Sequence, residues 1–490
     1  MRLGTSRAKF VVLLGLLSFC AILIGYRALL GLPLIGFDCY PLIASARVQS
    51  LADLWGLVSE ELMDGRYTDG RFYRPVTHAS FALDYAVHGL QARGYHLTDL
   101  LLLAAACTAA GAAALRLFGE RARLTAVIAA ATLGLHPLVM EVVPVAARRA
   151  DTLAIGFGAL LVACAPRPGQ GRDWWGLLWA ALAVGSKESG ALAPLVLAAW
   201  AWLEVREQRW RHALDVAVPA FLGLGLMLVL RGFVLGELGG HGESGLPSLA
   251  LSANLAKDYA LLLLYPQPWA GNMPALRTAV WVTLALLALG AWIAGRNQEA
   301  SRPGLVLAWF WAFAVLAISL LSGRLHDWYG IGFLIPYGLL LGELLRVGLI
   351  TAKAKRWAIA GLLSIPASLL LTSHLATSHV LRPYDNLLRA GTVATKTFAE
   401  LDRLLASGQP GHVLTLDPWS PVLPGNPDGS QVRNLFLFGH YSMQAYADLH
   451  ASYPVRVGMQ GGRAPEPDPG FLRVELVHRP PPYWFSSPVE

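Results

Sequence analysis

Charge is what this chain has little of. Asp, Glu, Lys and Arg make up 14% of its 490 residues while hydrophobic residues make up 55%; a soluble domain carries roughly 25% charge. With a mean hydropathy of +0.48, that deficit excludes an ordinary soluble enzyme and describes an integral membrane protein. Cysteine is scarce too. Cys20, Cys39, Cys107 and Cys164 form no CxxC pair, so neither a zinc site nor a disulfide framework is indicated. No Walker-type phosphate loop and no glycine-rich turn between a strand and a helix is present, which leaves no soluble nucleotide pocket. The net charge of +7 comes without an aromatic-interleaved basic patch, so nucleic acid is not an expected partner.

What is there is a series of apolar segments. A helix needs about 20 such residues to cross a bilayer. Spans are expected near 11–30, 95–117, 122–138, 151–165, 174–187, 190–203, 213–233, 276–294, 305–322, 329–347 and 357–374, about eleven in all. The first follows MRLGTSRAKF and has no small-residue cleavage site after it, so it reads as an uncleaved helix. Arg2, Arg7, Lys9, Arg121, Arg123, Arg167, Arg172, Arg206, Arg209, Arg211, Arg296, Arg302, Lys353, Lys355 and Arg356 fall in alternate connections. By the positive-inside rule these face the cytoplasm, with the N-terminus. The segments 174–187 and 190–203 are short, and one long helix would bury Lys187 and Glu188 in mid-membrane; two helices meeting at SKES are expected. Segment 234–274 is too polar at its start to span, and its YALLLLYPQPW run reads as interfacial or re-entrant. Trp174, Trp175, Trp328 and Trp357 read as an aromatic belt.

The fold class expected is therefore an all-α polytopic membrane protein. Residues 1–380 form the transmembrane domain, with 36–94 a large extracytoplasmic loop. Beyond about 380, Pro, Gly, Asp and Asn become frequent and apolar runs shorten. VLTLDPWSP reads as a strand and turn and NLFLFGHYSMQAYADLHA as a helix, so 381–490 is expected to be a small extracytoplasmic α/β domain.

Ionisable groups gather in three outward-facing places, and charge at membrane depth is by default a functional signal. The stretch from Gly36 to Asp99 carries Asp38, Arg74 and His96. HPLVMEVVPVAARRAD carries His136, Glu141, Arg148, Arg149 and Asp151. GRLHDWYG carries Arg324, His326 and Asp327. Lys187 and Glu188 complete the set. Such a cavity suits group transfer from a lipid-linked phosphate: a carboxylate deprotonates an acceptor hydroxyl, and arginines clamp phosphate oxygens. Structural alternatives stand beside this reading. Glu141 and Arg149 would pair with each other, Lys187 would pair with Glu188 at a helix break, and His136-Pro137 would only end a helix.

FYRPVTHASFALDYAVHGLQARGYHLTDLLL resembles the first-loop pattern of the transmembrane-and-TPR O-mannosyltransferases, in the GT-C superfamily of polyprenyl-phosphate-sugar glycosyltransferases. Tyr73, Arg74, Pro75, Ser80, Asp84, Gly89, Tyr95, His96 and Leu97 match, and Asp99 replaces the usual Asn. His136, Pro137, Glu141, Arg149 and Asp151 are similar to the His-Pro…Glu…Arg-x-Asp segment, Lys187 and Glu188 to the Lys-Glu motif, and YPQPW to the Phe-Pro loop. Arg324 and Gly332 match the last motif loosely. The resemblance covers most of residues 1–350, and five motifs stand in the same order.

The resemblance implies a GT-C fold and inverting transfer of a sugar from a polyprenyl-phosphate carrier to a protein, glycan or lipid acceptor on the extracytoplasmic face. Asp38 is the implied base, and Arg74, His96, Arg149 and Arg324 the donor-phosphate ligands. His136, Glu141, Asp151, Lys187, Glu188, His326 and Asp327 are candidate cavity residues. Where the family often has paired acids this chain has Asp38-Cys39, which favours a metal-independent mechanism; no cofactor is expected, and divalent metal stays open. The TPR array is missing, so acceptor choice does not carry over. Alternatives from other classes are a flippase for lipid-linked saccharide and an inactive GT-C-like binding scaffold.

Overall fold

The computed structural model describes residues 5–36, 38–66, 70–236, 240–241, 247–266, 274–323, 325–378, 385–407, 413–416, 440–453, 455–459 and 473–476. Every segment expected to span is helical. They are α1 (Thr5–Gly25), α5 (Ala92–Phe118), α6 (Arg123–Leu135), α7 (Arg149–Ala163), α8 (Trp175–Ser186), α9 (Leu192–Glu204), α10 (Arg209–Leu235), α12 (Pro274–Asn297), α13 (Arg302–Leu321), α14 (Leu334–Lys353) and α15 (Trp357–Thr377). Eight helical stretches among the described residues are long and apolar enough to cross a membrane, α6 being counted with the 3-10 turn that continues it to Glu141; α7, α8 and α9 are shorter. This is an integral multi-pass membrane protein.

The 234–274 segment is helical in part. Its apolar run is the second half of a 16-residue helix, α11 (Leu249–Leu264), capped by the Ser248 hydroxyl accepting from the Leu251 amide. Tyr259 and Leu264 are buried against the bundle. The PQPW part lies outside the described residues beyond Pro266.

At the centre, α5 packs on α1, α6 and α7, and α14 packs on α6 and α15. Small residues permit this. A Cβ at Gly338 would lie 2.9 Å from the Ala129 Cα, and one at Gly342 2.9 Å from the Thr125 Cα, the close backbone approach that packs helices in lipid. The same contact carries a polar pin: Glu343, wholly buried, accepts from Thr125 Oγ1 (2.9 Å) and from Arg346 (2.5 and 2.8 Å).

Short helices make up the first loop: α2 (Cys39–Ser45), α3 (Leu51–Ser59) and α4 (Pro75–His88). A reciprocal capping box between Ser50 and Asp53 starts α3, and Pro75 at its first turn starts α4. The loop is sewn to the bundle by Thr77 Oγ1 donating to the Ser186 carbonyl (2.8 Å) and Arg71 Nη1 to the Leu235 carbonyl (2.6 Å). The two-residue strands β1 (Gly70–Arg71) and β2 (Gly240–His241) pair antiparallel beside that contact.

In the C-terminal part, α16 (Asp385–Ser407) and α17 (His440–His450) accompany β3 (Val413–Leu416), β4 (Arg456–Met459) and β5 (Arg473–Leu476). The three strands form a parallel sheet with β3 in the middle. This small α/β unit shares one apolar core with α2: Tyr40 meets Phe398 and Tyr446 edge-on at 5.1 and 4.9 Å.

Candidate active site

A cavity of about 490 Å³ opens between α7, α9, α10 and α13. Its walls are mostly apolar, including Ile155, Leu192, Leu228, Trp311, Val315 and Ile318; its polar end holds Arg74, Lys187, Glu188, Arg231 and Tyr329. Four stretches far apart in sequence supply that end: the α4 N-terminus, the α8–α9 turn, α10 and the 327–333 turn.

The α8–α9 turn is the hinge of the arrangement. Helix α8 stops at Ser186 because Lys187 adopts an extended conformation (φ −159°, ψ 151°), and a 3-10 turn follows to Ala191. A Cβ on Gly190 would come within 2.2 Å of the Ala183 carbonyl oxygen, so only glycine closes this turn. The turn sends its two charged side chains different ways. Lys187 Nζ lies 2.5 Å from Asp151 Oδ1 and 4.6 Å from the centre of the Tyr329 ring. Glu188 receives Arg74 Nη2 on Oε2 (2.8 Å) and Arg231 Nη1 on Oε1 (2.9 Å). The expected Lys187–Glu188 pair does not form, because each finds an opposite charge on another helix. Burial by itself would raise the Glu188 carboxyl, but Arg74 and then Arg231 outweigh it and hold it at about 2.

Asp38 immediately precedes α2, without a capping bond from its side chain, and is half-buried. It is not among the residues lining the cavity, but the charges of Arg74 and Arg148 reach it. Its Oδ1 accepts the Tyr441 hydroxyl at 2.6 Å. Burial holds its carboxyl above the ordinary aspartate range, and Tyr441, Arg74 and Arg148 offset only part of that rise.

The neighbouring arginines part ways. Arg149 is 1% exposed, with Asp84 Oδ2 at 2.6 Å and Asp99 Oδ1 at 2.8 Å, and its guanidinium lies 4.4 Å from the Phe81 ring centre. It welds α4, α5 and α7 together and does not line the cavity. It also does not pair with Glu141, contrary to the structural alternative. Arg148 does: its Nη1 donates to the Glu141 carbonyl and sits 3.9 Å from the Glu141 carboxylate. Arg148 stacks over Trp328 at 4.1 Å; Trp174, Trp175 and Trp357 are exposed.

Two of the three candidate histidines bond to backbone groups. His96, 1% exposed, has Nε2 3.3 Å from the Pro33 carbonyl and lies outside the cavity lining. His136 follows the last residue of α6, where the next residue, Pro137, stops the helix; its Nδ1 accepts from the Leu138 amide (3.2 Å), which puts its proton on Nε2, 3.0 Å from the Leu263 carbonyl. His326 packs against Trp328 and Tyr329, with ring centres 4.6 and 4.9 Å away, beside Asp327 at the start of the turn. Arg324 lies outside the described residues.

Sequence reasoning passed over Arg231. It stands alone in LMLVLRGFVL within α10, and a single arginine inside an apolar span was itself the signal. No group of three or more His, Cys, Asp or Glu side chains among the described residues is arranged to hold a metal ion.

Fold and site together define a multi-helix membrane protein with a charged, arginine-bearing end to an otherwise apolar cavity. The crystal structure of ArnT from Cupriavidus metallidurans in the apo state is similar: 16% identity, a TM-score of 0.49, and coverage of 92% of this chain and 86% of that one. A likeness of helix arrangement at that score assigns neither family nor function. No protein-family model matches the chain, and no curated protein matches it.

Proposed function

We propose that this protein is a GT-C-type inverting glycosyltransferase of the extracytoplasmic face, taking a sugar from a polyprenyl-phosphate donor. The observation carrying this reading is the pair Arg74–Arg231 converging on Glu188 at the polar end of an apolar cavity. Two guanidiniums that already share one carboxylate present the donor set a phosphate needs, and the apolar walls suit the hydrocarbon attached to it. The first-loop and Lys-Glu motifs that resemble the O-mannosyltransferases supply Arg74 and Glu188.

In this reading Asp38 takes the proton of the acceptor hydroxyl as its oxygen attacks the anomeric carbon. The bond from that carbon to the phosphate oxygen breaks, and the polyprenyl phosphate leaves with the electron pair, its charge met by Arg74 and Arg231. Lys187, held by Asp151, adds positive potential beside them. Arg149, His96 and His136, buried away from the cavity lining, keep the scaffold in shape.

The test is transfer by the purified protein from radiolabelled polyprenyl-phosphate sugars to a panel of protein, glycan and lipid acceptors, with and without chelator. Transfer that survives chelation and falls about 10²–10⁴-fold in Asp38→Asn, the usual worth of a general base, supports the reading. Movement of label across liposomes without transfer overturns it in favour of a flippase; binding with neither leaves an inactive scaffold.

A further inference from the structure

The C-terminal helix reaches into this site. Tyr441 lies in the first turn of α17, and its hydroxyl is 2.6 Å from Asp38 Oδ1 although 403 residues separate the two. The helix is not loosely placed. Tyr446, one and a half turns on, stacks on Phe398 at 4.5 Å, meets Tyr40 at 4.9 Å and donates to Asp402 at 2.7 Å. Asp448 pairs with Arg66 of the first loop at 2.8 Å. Met443, Ala445 and Ala447 are buried in the core shared with Leu42 and Ile43. Tyr40 is two residues from Asp38, so the contact that anchors α17 also fixes the turn bearing the carboxylate.

We propose that Tyr441 is a positioning residue for Asp38: its hydroxyl holds one carboxylate oxygen and leaves the other to take the acceptor's proton. This rests on the assignment of Asp38 as the base. Asp38 is faced by Arg74 from the start of α4, by Arg148 from the turn before α7 and by Tyr441 from α17, with the Cys39 thiol adjacent in the chain. Of these, Tyr441 is a hydrogen-bond donor seated on the carboxylate from the C-terminal unit. A phenol donating to a carboxylate favours the charged form, opposing the burial of Asp38. The C-terminal unit thereby becomes part of the site instead of an appendage.

The experiment uses full-length protein in nanodiscs and N,N′-dicyclohexylcarbodiimide, which couples to protonated carboxyls in apolar surroundings. Labelling of the Asp38 peptide is followed by mass spectrometry against pH. In Tyr441→Phe the midpoint is expected to rise by about one pH unit, the scale of one charge-assisted hydrogen bond. Tyr441→Gln, which retains an N–H donor, is expected to bring the midpoint back toward wild type and serves if the Phe variant folds poorly. Tyr446→Phe, altered on the same helix but bonded to Asp402, is expected to leave the midpoint in place. An unchanged midpoint in both Tyr441 variants overturns the proposal. The labelling needs no sugar donor, so a shifted midpoint without transfer by any variant would sink the enzyme reading alone. Transfer with an unmoved midpoint and an unmoved kcat–pH profile would sink the role of Tyr441 alone.

Discussion

Glu188 sits between two arginines, Arg74 at 2.8 Å and Arg231 at 2.9 Å. Replacing it with Gln leaves Arg74 and Arg231 facing each other across the polar end. Breaking a buried ion pair costs about 3–5 kcal/mol, and the partial exposure of Glu188, 31% of its side chain, puts this case below that range. The expected outcome is a lower melting temperature for Glu188→Gln, and a larger rise on adding polyprenyl phosphate than wild type shows, because the added anion takes the vacated place. A scanning-fluorimetry titration checks both. The pH dependence follows from the depressed carboxyl. The stabilisation by Glu188 is fully present above the ordinary glutamate value of 4.5 and is lost as pH falls through about 2; acid titration of wild type against the Gln variant should converge over that window. Arg149 behaves differently. With Asp84 and Asp99 both against it, Arg149→Met strands two buried carboxylates. Loss of folded protein is expected, read as absence of a monodisperse peak in size-exclusion chromatography, and not a rise in KM for donor.

At the scale of elements, the α8–α9 turn decides where two of the site's charges go. A methyl at Gly190 has no room beside the Ala183 carbonyl, and forcing one in costs roughly 1–3 kcal/mol. Gly190→Ala is therefore expected to lower the melting temperature and to weaken binding of polyprenyl phosphate, since displacing the turn moves Lys187 and Glu188 off Asp151, Arg74 and Arg231. Serine at Gly225 of α10, where nothing approaches a Cβ within 4 Å, is the control that should leave both measurements near wild type. The first loop and α17 form the other decisive joint: their shared core positions both Asp38 and Tyr441.

For the whole molecule, the prediction concerns sidedness. Asp38, the 137–148 turns and the α8–α9 turn converge at one end of the bundle. The basic connections gather at the other, where Arg123 bonds Ser6 (2.9 Å), Arg167 pairs with Glu120 (3.2 Å) and Arg356 bonds Asn297 (3.2 Å). By charge bias this second end is predicted to face the cytoplasm. Single cysteines at exposed Gln49 and Arg93 should react with an impermeant maleimide from outside the cell, and cysteines at Arg121 and Glu207 only after permeabilisation. Labelling of Gln49 and Arg121 from the same side would contradict one site built from these loops.

Composition and hydropathy by themselves determined that the chain lives in a membrane, where its helices run, and that its C-terminal part differs in kind; these depend on sums over many residues, which neighbours barely alter. The break at SKES was legible because Lys187 and Glu188 are too costly to place in mid-membrane. Which charges meet was not legible. Arg148 and Arg149 are adjacent in sequence and chemically identical, yet the start of α7 turns one toward Asp38 and the other into the α4–α5–α7 contact. Arg231 became a partner of Glu188 only when α10 packed on α8, and Tyr441 reached Asp38 only through a core built from both ends of the chain. Long-range pairing of this kind belongs to packing, because a side chain's partner is set by the helix that arrives opposite it, and sequence spacing carries no record of that.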